Sequence, residues 1–380
     1  MSHRSDDLLE PVGGGFAWIS GEGPHPDVIL STRIRLARNL EGFPFRETIT
    51  AAQQQLVTED LLDAISETSL AGNGGYQFLR LSDLGENDRT LLLERHLVSQ
   101  EMINFQEASA LVVGDSGRLA LLMNEEDHLR IQVLTPGLQL EGSWEIARRI
   151  ERSLRDRLQF AYHHRFGFLT SCPTNTGTGL RASVLIHLPG LVLTREIHKV
   201  LDGLSQIGLT FRGLYGEGSD VIGNYFQLSN QTTLGKSEEE LIGHLAQITR
   251  QVIEYEENAR QVLARDALDE IEDKVWRAYG LLRFARSMSF DEMMNLLSAV
   301  RLGVSMKLLP DIGVSKLNKL LLWTQVAHLQ KRAGRTLDKR EREIERASLI
   351  REILDTEVGL EEFGRDDEEF GEEDEGEPHE

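Results

Sequence analysis

The sequence has one cysteine, Cys172, among its 380 residues. A single thiol excludes an intramolecular disulfide and any metal site built from several cysteines. No apolar stretch reaches the roughly 18 residues that a membrane-spanning helix needs. The first residues mix His3, Arg4, Asp6 and Asp7 without an apolar core, which is not the pattern of a secretory signal. We therefore expect a cytoplasmic protein with no membrane partner.

Two common phosphate-binding motifs are also missing. The sequence has no Walker A pattern, and Gly216-Glu217-Gly218 lacks the third glycine of a dinucleotide-binding fingerprint. Any nucleotide must therefore be held by other groups. Arginine is the candidate, because its guanidinium binds two phosphate oxygens together and stays charged when water is excluded.

Acidic residues are concentrated at the end of the chain. The formal net charge is -21, and the last twenty residues hold twelve acidic residues against the single Arg365. A run of like charge with few apolar residues cannot form a packed core, so we predict a disordered acidic tail over residues 356–380. The overall negative charge argues against direct nucleic-acid binding.

The length and the 40% hydrophobic content predict more than one domain. Up to about residue 236, short alternating strands are mixed with helices without a regular βαβ rhythm. This pattern predicts an α+β fold with a mainly antiparallel sheet flanked by helices over residues 20–258. Helical spacing then predicts an all-α C-terminal domain over residues 259–355. Residues 88–105 and 315–330 are each predicted to form one helix, and Ser143 is predicted to cap another.

Four arginines are candidates for phosphate binding. If residues 28–36 form a strand, Ser31, Arg33 and Arg35 share one face. Arg130 follows an acidic loop, and Arg181 follows a glycine-rich turn. The alternative for each arginine is an ion pair with a surface carboxylate.

Two loops carry candidates for catalysis. Asn124 to His128 includes Glu125 and Glu126, which could bind a guanidinium and accept its proton or orient metal-bound water; the alternative is a solvated loop. Cys172 precedes Pro173 in a segment rich in hydroxyls and amides, which favours a reactive thiolate. The alternative is an inert, small apolar side chain.

A third, glycine-rich segment, residues 212–220, contains Glu217 and Asp220. It could form a mobile loop that brings a carboxylate over a substrate. Alternatively, it is a hairpin connection whose acids face water.

Four segments together resemble the guanidino (phosphagen) kinases, and more narrowly the bacterial protein arginine kinases of the McsB type. They are STRIRLARN, NEEDHLRIQ, CPTNTGTGLRASV and the stretch from RGLYGEGS to GNYFQLSNQTTLGKSE. The resemblance implies a phosphagen-kinase-like catalytic domain over residues 20–258 that uses ATP and Mg²⁺, with no metal-ligating side chain assigned. The implied nucleotide-binding residues are Ser31, Arg33, Arg35, Arg130, Arg181 and Asn175.

The resemblance also implies catalytic roles. Glu126 matches the carboxylate that binds the guanidinium, and Glu125 lies near the metal. Cys172 matches the reactive cysteine beside the substrate. Glu217 is similar to the second catalytic carboxylate, with Asp220 as the competing assignment. In two departures from the family, Tyr215 replaces a phosphate-binding arginine and Leu185 replaces a histidine near the adenine.

The C-terminal helical region carries one further motif. Arg342-Glu343-Ile344-Glu345-Arg346-Ala347 resembles the McsB-type phosphoarginine-binding motif, with Glu343 in place of an aspartate. The implied phosphoarginine site comprises Arg342, Glu343, Arg346 and Ala347. Arg342 and Arg346 are four residues apart and lie on one helix face. The alternative is an ordinary charged helix surface.

The resemblance therefore implies a kinase that transfers the γ-phosphoryl of ATP to arginine side chains exposed on other proteins, marking them for Clp-type proteolysis under stress. It also implies a McsA-type activator, a stress-response repressor, a Clp unfoldase and a second copy of the chain in a homodimer as partners. Two other functions remain open. One is a guanidine-modifying hydrolase in which Cys172 attacks the guanidinium carbon. The other is a non-catalytic phosphoarginine-binding adaptor.

Overall fold

The computed structural model describes residues 8–10, 16–68, 76–105, 107–213, 222–309 and 312–355. Its strands are β1 (Ile29–Arg38), β2 (Tyr76–Arg80), β3 (Ala110–Gly114), β4 (Leu119–Met123), β5 (Leu129–Pro136), β6 (Tyr162–His163), β7 (Gly167–Phe168), β8 (Leu180–His187), β9 (Leu209–Gly213) and β10 (Tyr225–Asn230). Its helices are α1 (Ala51–Ser66), α2 (Glu86–Glu94), α3 (Gln100–Asn104), α4 (Leu140–Arg155), α5 (Pro189–Leu193), α6 (Ile197–Gln206), α7 (Glu238–Asp266), α8 (Leu268–Phe284), α9 (Phe290–Ser305), α10 (Val314–Trp323), α11 (Val326–Ala333) and α12 (Lys339–Asp355).

Eight strands form one sheet in the order β2-β3-β4-β5-β1-β8-β10-β9. Every neighbouring pair in this order is antiparallel. Strand β1 lies inside the sheet, between β5 and β8, so both of its edges are hydrogen-bonded and its side chains alternate between the two faces. The predicted antiparallel sheet flanked by helices is confirmed.

The sheet separates two apolar clusters. On one face, Ile34 and Leu36 of β1 and Val184 of β8 pack with residues of α1, α4 and α7. On the other face, Leu111 of β3 and Leu122 of β4 pack with residues of α2 and of the C-terminal helices. The middle of this second face carries polar side chains instead. It lies next to α2 and to the ends of the central strands. It is the face on which the four predicted phosphate-binding arginines lie, because they are on the strands β1, β5 and β8.

Helices α8 to α12 form the predicted all-α C-terminal region, which packs against α2 through paired polar contacts as well as apolar ones. Lys331 of α11, for example, binds Asp88 of α2 at 2.7 Å. Among the described helices, none combines the length and the apolar character required to cross a membrane. The domain boundaries at residues 258 and 355 stay predictions.

Three local predictions are wrong. The helix predicted over residues 88–105 is divided into α2 and α3, because the chain reverses after Glu94. The helix predicted over 315–330 is interrupted at Thr324 and Gln325. Ser143 does not cap a helix: α4 begins earlier, at Leu140, and the Ser143 hydroxyl lies 2.8 Å from Thr135 Oγ1 of β5. In each case the apolar spacing was correct, but spacing alone does not locate a helix end.

Candidate active site

Three adjacent strands bring four arginines to one face of the sheet. Arg33 and Arg35 are two residues apart on β1 and therefore point the same way. Arg35 lies directly opposite Arg181 of β8, and Arg130 of β5 pairs with Ala37, two residues further along β1. We call Arg33, Arg35, Arg130 and Arg181 the arginine row. Its alignment depends on antiparallel register, which places residues from distant parts of the sequence side by side.

The arginines of the row lie close enough to lower one another's pKa. Burial, and then the charges of Arg181 and Arg130, lower the pKa of Arg33 to about 10. Burial and the three neighbouring arginines also lower the pKa of Arg35 well below its usual value, although Glu125 opposes this. The Nε of Arg35 is buried and has no hydrogen-bond partner among the described residues. Such a cluster of cations favours a polyanionic ligand, and guanidinium groups match phosphate oxygens in geometry.

Polar neighbours extend the row along the same face. Arg33 Nη2 donates to Gln227 Oε1 of β10 at 2.9 Å. Ser31 precedes Arg33 by two residues on β1, shares its face and is 5% exposed. The predicted nucleotide residues of the three strands, Ser31 and the four arginines, are therefore brought together. Leu185, which pairs with Ser31 and Gln227, lies among them.

The connection between β4 and β5 carries the two predicted carboxylates. Glu125 is 2% exposed, and its Oε1 accepts hydrogen bonds from Ser99 Oγ at 2.5 Å and from Arg130 Nη1. Glu126 has a 32% exposed side chain, and its Oε2 accepts from Arg130 Nη2 at 3.1 Å. Glu125 is thus enclosed by protein donors, whereas Glu126 is the carboxylate that an incoming substrate can reach.

The environment of Glu126 raises its pKa. Burial is the largest cause; Arg130 opposes it, the charges of Asp127 and Glu125 add to it, and a hydrogen bond from the Cys172 thiol opposes it further. A carboxylate whose pKa is raised toward neutrality is a better proton acceptor than an ordinary exposed glutamate. Glu126 is therefore both accessible and more basic than an ordinary exposed glutamate.

The loop that carries Cys172 is held against this carboxylate by Asp127. Asp127 Oδ1 accepts hydrogen bonds from the Ser171 N–H and from Asn39 Nδ2, each at 2.7 Å. Asn175 Nδ2 lies 3.4 Å from Glu126 Oε2. The structure thus places Cys172 and Asn175 beside Glu126. Of the predicted nucleotide-binding residues, Arg130 and Asn175 both contact Glu126, and Asn175 does so from a loop rather than from the sheet.

Glu217, Asp220 and Tyr215 fall outside the described residues, as does the acidic tail. The phosphoarginine motif lies on α12, as predicted from its helical spacing. There Arg346 is 3% exposed and donates from Nε to the Thr324 carbonyl and from Nη1 to the Met288 carbonyl, both at 3.0 Å.

The other three residues of that motif differ in exposure: Arg342 and Glu343 are partly exposed, whereas Ala347 is buried. Arg346 therefore fastens α12 to its neighbours, and the binding role of the motif stays a prediction.

His96 belongs to the site but was not identified from the sequence. Burial, and then the charges of Arg33 and Arg35, lower its pKa to about 3, so its ring is neutral beside the arginine row. Its φ of +60° is uncommon for a residue other than glycine. The apolar spacing of residues 88–105 is that of one continuous helix, so it gave no sign of this turn, and no local motif marks it.

Comparisons with known proteins match most of the chain to one family. A family model described as the ATP:guanido phosphotransferase C-terminal catalytic domain matches residues 57–259, and one described as the protein-arginine kinase McsB C-terminal domain matches residues 268–364. The protein-arginine kinase of Symbiobacterium thermophilum is 47% identical over 338 residues, which are 89% of this chain and 96% of that protein. The protein-arginine kinase of Desulforamulus reducens is 45% identical over 351 residues, 92% and 98% of the two chains.

Solved structures show the same fold. Lombricine kinase matches with a TM-score of 0.56 and 24% identity, covering 66% of this chain and 71% of that chain. The substrate-free duplicated taurocyamine kinase from Schistosoma mansoni matches with a TM-score of 0.54 and 26% identity, over 66% of this chain and 37% of that chain. The chain therefore belongs to the ATP:guanido phosphotransferase family, and within it to the protein-arginine kinases that carry a McsB C-terminal domain. The resemblance of the four sequence segments is confirmed.

Proposed function

We propose that this protein transfers the γ-phosphoryl group of ATP to arginine side chains of other proteins. The observation that carries the proposal is the arginine row on one face of the sheet, with Glu126 and Cys172 in the connecting segments beside it. The row supplies positive charge for a polyphosphate, and the carboxylate and thiol supply groups that bind and deprotonate a guanidinium. Kinases of this kind depend on positioning and charge neutralisation more than on covalent chemistry.

The proposed reaction is an in-line displacement. A terminal nitrogen of the substrate arginine attacks the γ-phosphorus, the bond from phosphorus to the β,γ-bridging oxygen breaks, and ADP leaves. The proton from the attacking nitrogen passes to Glu126. Arg130 contacts both Glu125 and Glu126, so it links the phosphate-binding and guanidinium-binding parts of the site. We propose Glu217 as the second carboxylate that orients the guanidinium, with Asp220 as the competing residue.

Mg²⁺ is part of the proposal. Across the described segments, no group of three or more metal-ligating side chains occurs. This fits Mg²⁺, which is commonly held by substrate phosphates and water with one or two carboxylates. Glu125 and Glu126, which both pair with Arg130 of the row, would contact metal-bound water. When bound, Mg²⁺ would neutralise charge on the phosphate oxygens.

The hydrolase alternative requires a histidine that is free to assist Cys172. The histidine of the Asn124–His128 loop is instead held by the backbone. Attack of Cys172 on a guanidinium carbon would require a nearby acid and base. His128 is the histidine of this loop, but Leu40 N–H donates to its Nδ1 and its Nε2 contacts the Pro44 carbonyl, both at 3.0 Å. Both ring nitrogens are thus engaged by the backbone. The arginine row, in addition, has no role in deimination.

We also propose the partners that the family membership suggests: protein substrates with exposed arginines, a McsA-type activator, a stress-response repressor and a Clp unfoldase, in the cytoplasm. Phosphoarginine binding at Arg342, Glu343, Arg346 and Ala347 belongs to the same proposal.

A homodimer is supported by exposed apolar side chains on α8, where Trp276, Leu281 and Phe284 are 43%, 48% and 68% exposed.

The test is phosphorylation of a protein substrate. The purified protein is incubated with Mg-ATP and casein, and modified residues are identified by mass spectrometry without acid, since the P–N bond is acid-labile. Free arginine and creatine are parallel substrates, and Cys172→Ala is the control. We expect phosphoarginine on protein, reduced in the variant. Citrulline formed without ATP would instead establish the hydrolase. Phosphoarginine-peptide binding without ATP consumption, even with an activator present, would establish the adaptor.

A further inference from the structure

The end of helix α2 joins the arginine row to the C-terminal helices. Glu94, Arg95 and His96 follow one another where α2 ends and the chain reverses. Glu94 and Arg95 contact helix α11 through hydrogen bonds. The carbonyl of His96 instead accepts a hydrogen bond from Gln132, which lies opposite Arg35 in the register of β5 and β1. One short segment therefore contacts both the nucleotide-binding face and a helix of the C-terminal region.

Glu94 caps the first turn of α11. Its Oε1 accepts a hydrogen bond from the Ala327 N–H at 2.8 Å, and its Oε2 accepts from the His328 N–H at 3.2 Å and from His328 Nδ1 at 2.7 Å. A carboxylate suits this place because the first N–H groups of a helix lack partners within the helix and carry partial positive charge. The Glu94 side chain is 9% exposed and the His328 side chain 0%, so little water competes for these bonds.

Arg95 fixes the orientation of His328. Its Nε donates to His328 Nε2 at 3.2 Å, so Nε2 is an acceptor and Nδ1 carries the proton that Glu94 accepts. Burial lowers the pKa of His328 although Glu94 opposes this, and the ring is therefore neutral. Arg95 also donates to the backbone carbonyls of Leu8 and Glu10. The contact between Glu94, Arg95 and His328 thus has one defined arrangement of donors and acceptors.

His96 has a costly backbone conformation at the end of α2. The N–H of His96 donates to the Leu93 carbonyl at 2.9 Å and that of Leu97 to the Leu92 carbonyl at 3.0 Å, the pattern of a Schellman turn. His96 occupies the left-handed position where glycine is usual, which costs another residue about 1–2 kcal/mol. The His96 carbonyl accepts from Gln132 Nε2 at 2.6 Å. Such conformations persist where neighbouring contacts impose them, and they cluster at functional sites.

We propose that Glu94 and His328 are positioning residues that place His96 against the nucleotide at the arginine row, so that the seating of α11 sets the affinity for ATP. This inference rests on the proposed ATP-dependent function. Neither residue touches the row. They act on His96 through the two peptide bonds that separate it from Glu94. Through this connection, α11 becomes part of the nucleotide site.

The experiment compares variants of the full chain. His328→Ala removes both ring contacts, and His328→Gln retains a donor for Glu94 and an acceptor for Arg95. Asp88→Asn is the matched control, since it weakens the Asp88–Lys331 contact of the same α2–α11 interface away from His96. ATP affinity is measured by titration calorimetry without protein substrate, KM and kcat by phosphoarginine formation, and folding by thermal unfolding.

We expect His328→Ala to weaken ATP binding about tenfold, equivalent to about 1.4 kcal/mol, and to raise KM for ATP with kcat nearly unchanged. His328→Gln should restore most of the affinity, and Asp88→Asn should leave it within about twofold. In a His96→Ala background, His328→Ala should have no further effect on ATP affinity.

Equal losses in His328→Ala and Asp88→Asn, or additive losses in the double variant, would overturn the inference and leave only a structural interface. If His328→Ala does not fold, Glu94→Gln replaces it in the same comparison, because it weakens the cap while keeping side-chain volume. Failure of the wild type to phosphorylate arginine would contradict the proposed function alone, because ATP affinity would still test the positioning role.

Discussion

Arg33 and Arg38 lie on the same strand, and burial lowers the pKa of each to about 10, yet their replacement by methionine should change stability in opposite directions. A guanidinium whose pKa falls from 12.5 to about 10 carries a penalty of about 3 kcal/mol for remaining charged, at 1.36 kcal/mol per pKa unit. The penalty is present at any pH below the folded-state pKa. The two arginines differ in how many partners lose a hydrogen bond when the guanidinium is removed.

Arg33→Met leaves few groups unpaired. The variant loses the hydrogen bond to Gln227, worth about 1 kcal/mol, but it removes the charge and relieves repulsion on Arg181 and Arg130. We therefore expect the ligand-free Arg33→Met protein to be more stable than wild type by about 1–2 kcal/mol. ATP at 100 times its Kd should add about 2.7 kcal/mol to the wild type and much less to the variant.

Arg38→Met breaks a paired site and is the matched control. Arg38 donates to Glu151 at 3.2 Å and to the carbonyls of Ala37 and Thr178 at 2.7 and 2.9 Å, and it lies 3.5 Å above the Phe168 ring. Its loss leaves a 5% exposed carboxylate with one fewer cation, so we expect destabilisation by about 3 kcal/mol.

Denaturant unfolding with and without ATP measures both effects. If Arg33→Met lost as much stability as Arg38→Met, or kept the full ATP-dependent gain, the charge of Arg33 would not be a cost that bound ATP offsets.

The remaining predictions concern the catalytic carboxylate and one glycine. Glu126→Gln should lower phosphoarginine formation by about 10²- to 10⁴-fold without changing ATP affinity, because an amide cannot accept the proton; equal rates by mass spectrometry would contradict this. Since the pKa of Glu126 is raised above 4.5, kcat/KM should fall as pH decreases through that higher value, and this acidic limb should disappear in Glu126→Gln. Gly223→Ala should destabilise the fold by about 1–3 kcal/mol, because its φ is +65° and a Cβ would lie 2.7 Å from the Met294 carbonyl oxygen. An unchanged denaturation midpoint would show that the backbone relaxes there.

Strand periodicity predicted part of the arginine row, but not its completion. Alternation placed Arg33 and Arg35 on one face, because that inference requires only that residues 28–36 be extended. The positions of Arg130 and Arg181 beside them depend on the register of β5 and β8 against β1. Register is fixed by packing of the whole sheet. The family resemblance could therefore suggest Arg130 and Arg181, but the sequence could not show that they lie beside Arg33 and Arg35.

His96 and Arg346 show two other limits. Apolar spacing continued across residues 88–105, yet the chain turns at His96 without the glycine that usually marks such a turn. Arg346 was placed correctly on a helix, but its burial against the carbonyls of Met288 and Thr324 depends on how α12 packs on its neighbours. A local pattern predicts an element and its period, whereas burial and chain reversal are decided by tertiary contacts.

The features that break local rules are concentrated at one place. Four like charges share a sheet face, His96 occupies a glycine conformation, and Gly177 has a φ of +120° where a Cβ would lie 2.2 Å from the Thr233 carbonyl oxygen. The first two lower the stability of the ligand-free protein, and the first is offset when an anion binds. A fold retains such features where they serve binding or catalysis. The same reasoning links stability to nucleotide: a change that relaxes the ligand-free site should weaken its hold on ATP, and Arg33→Met tests that link directly.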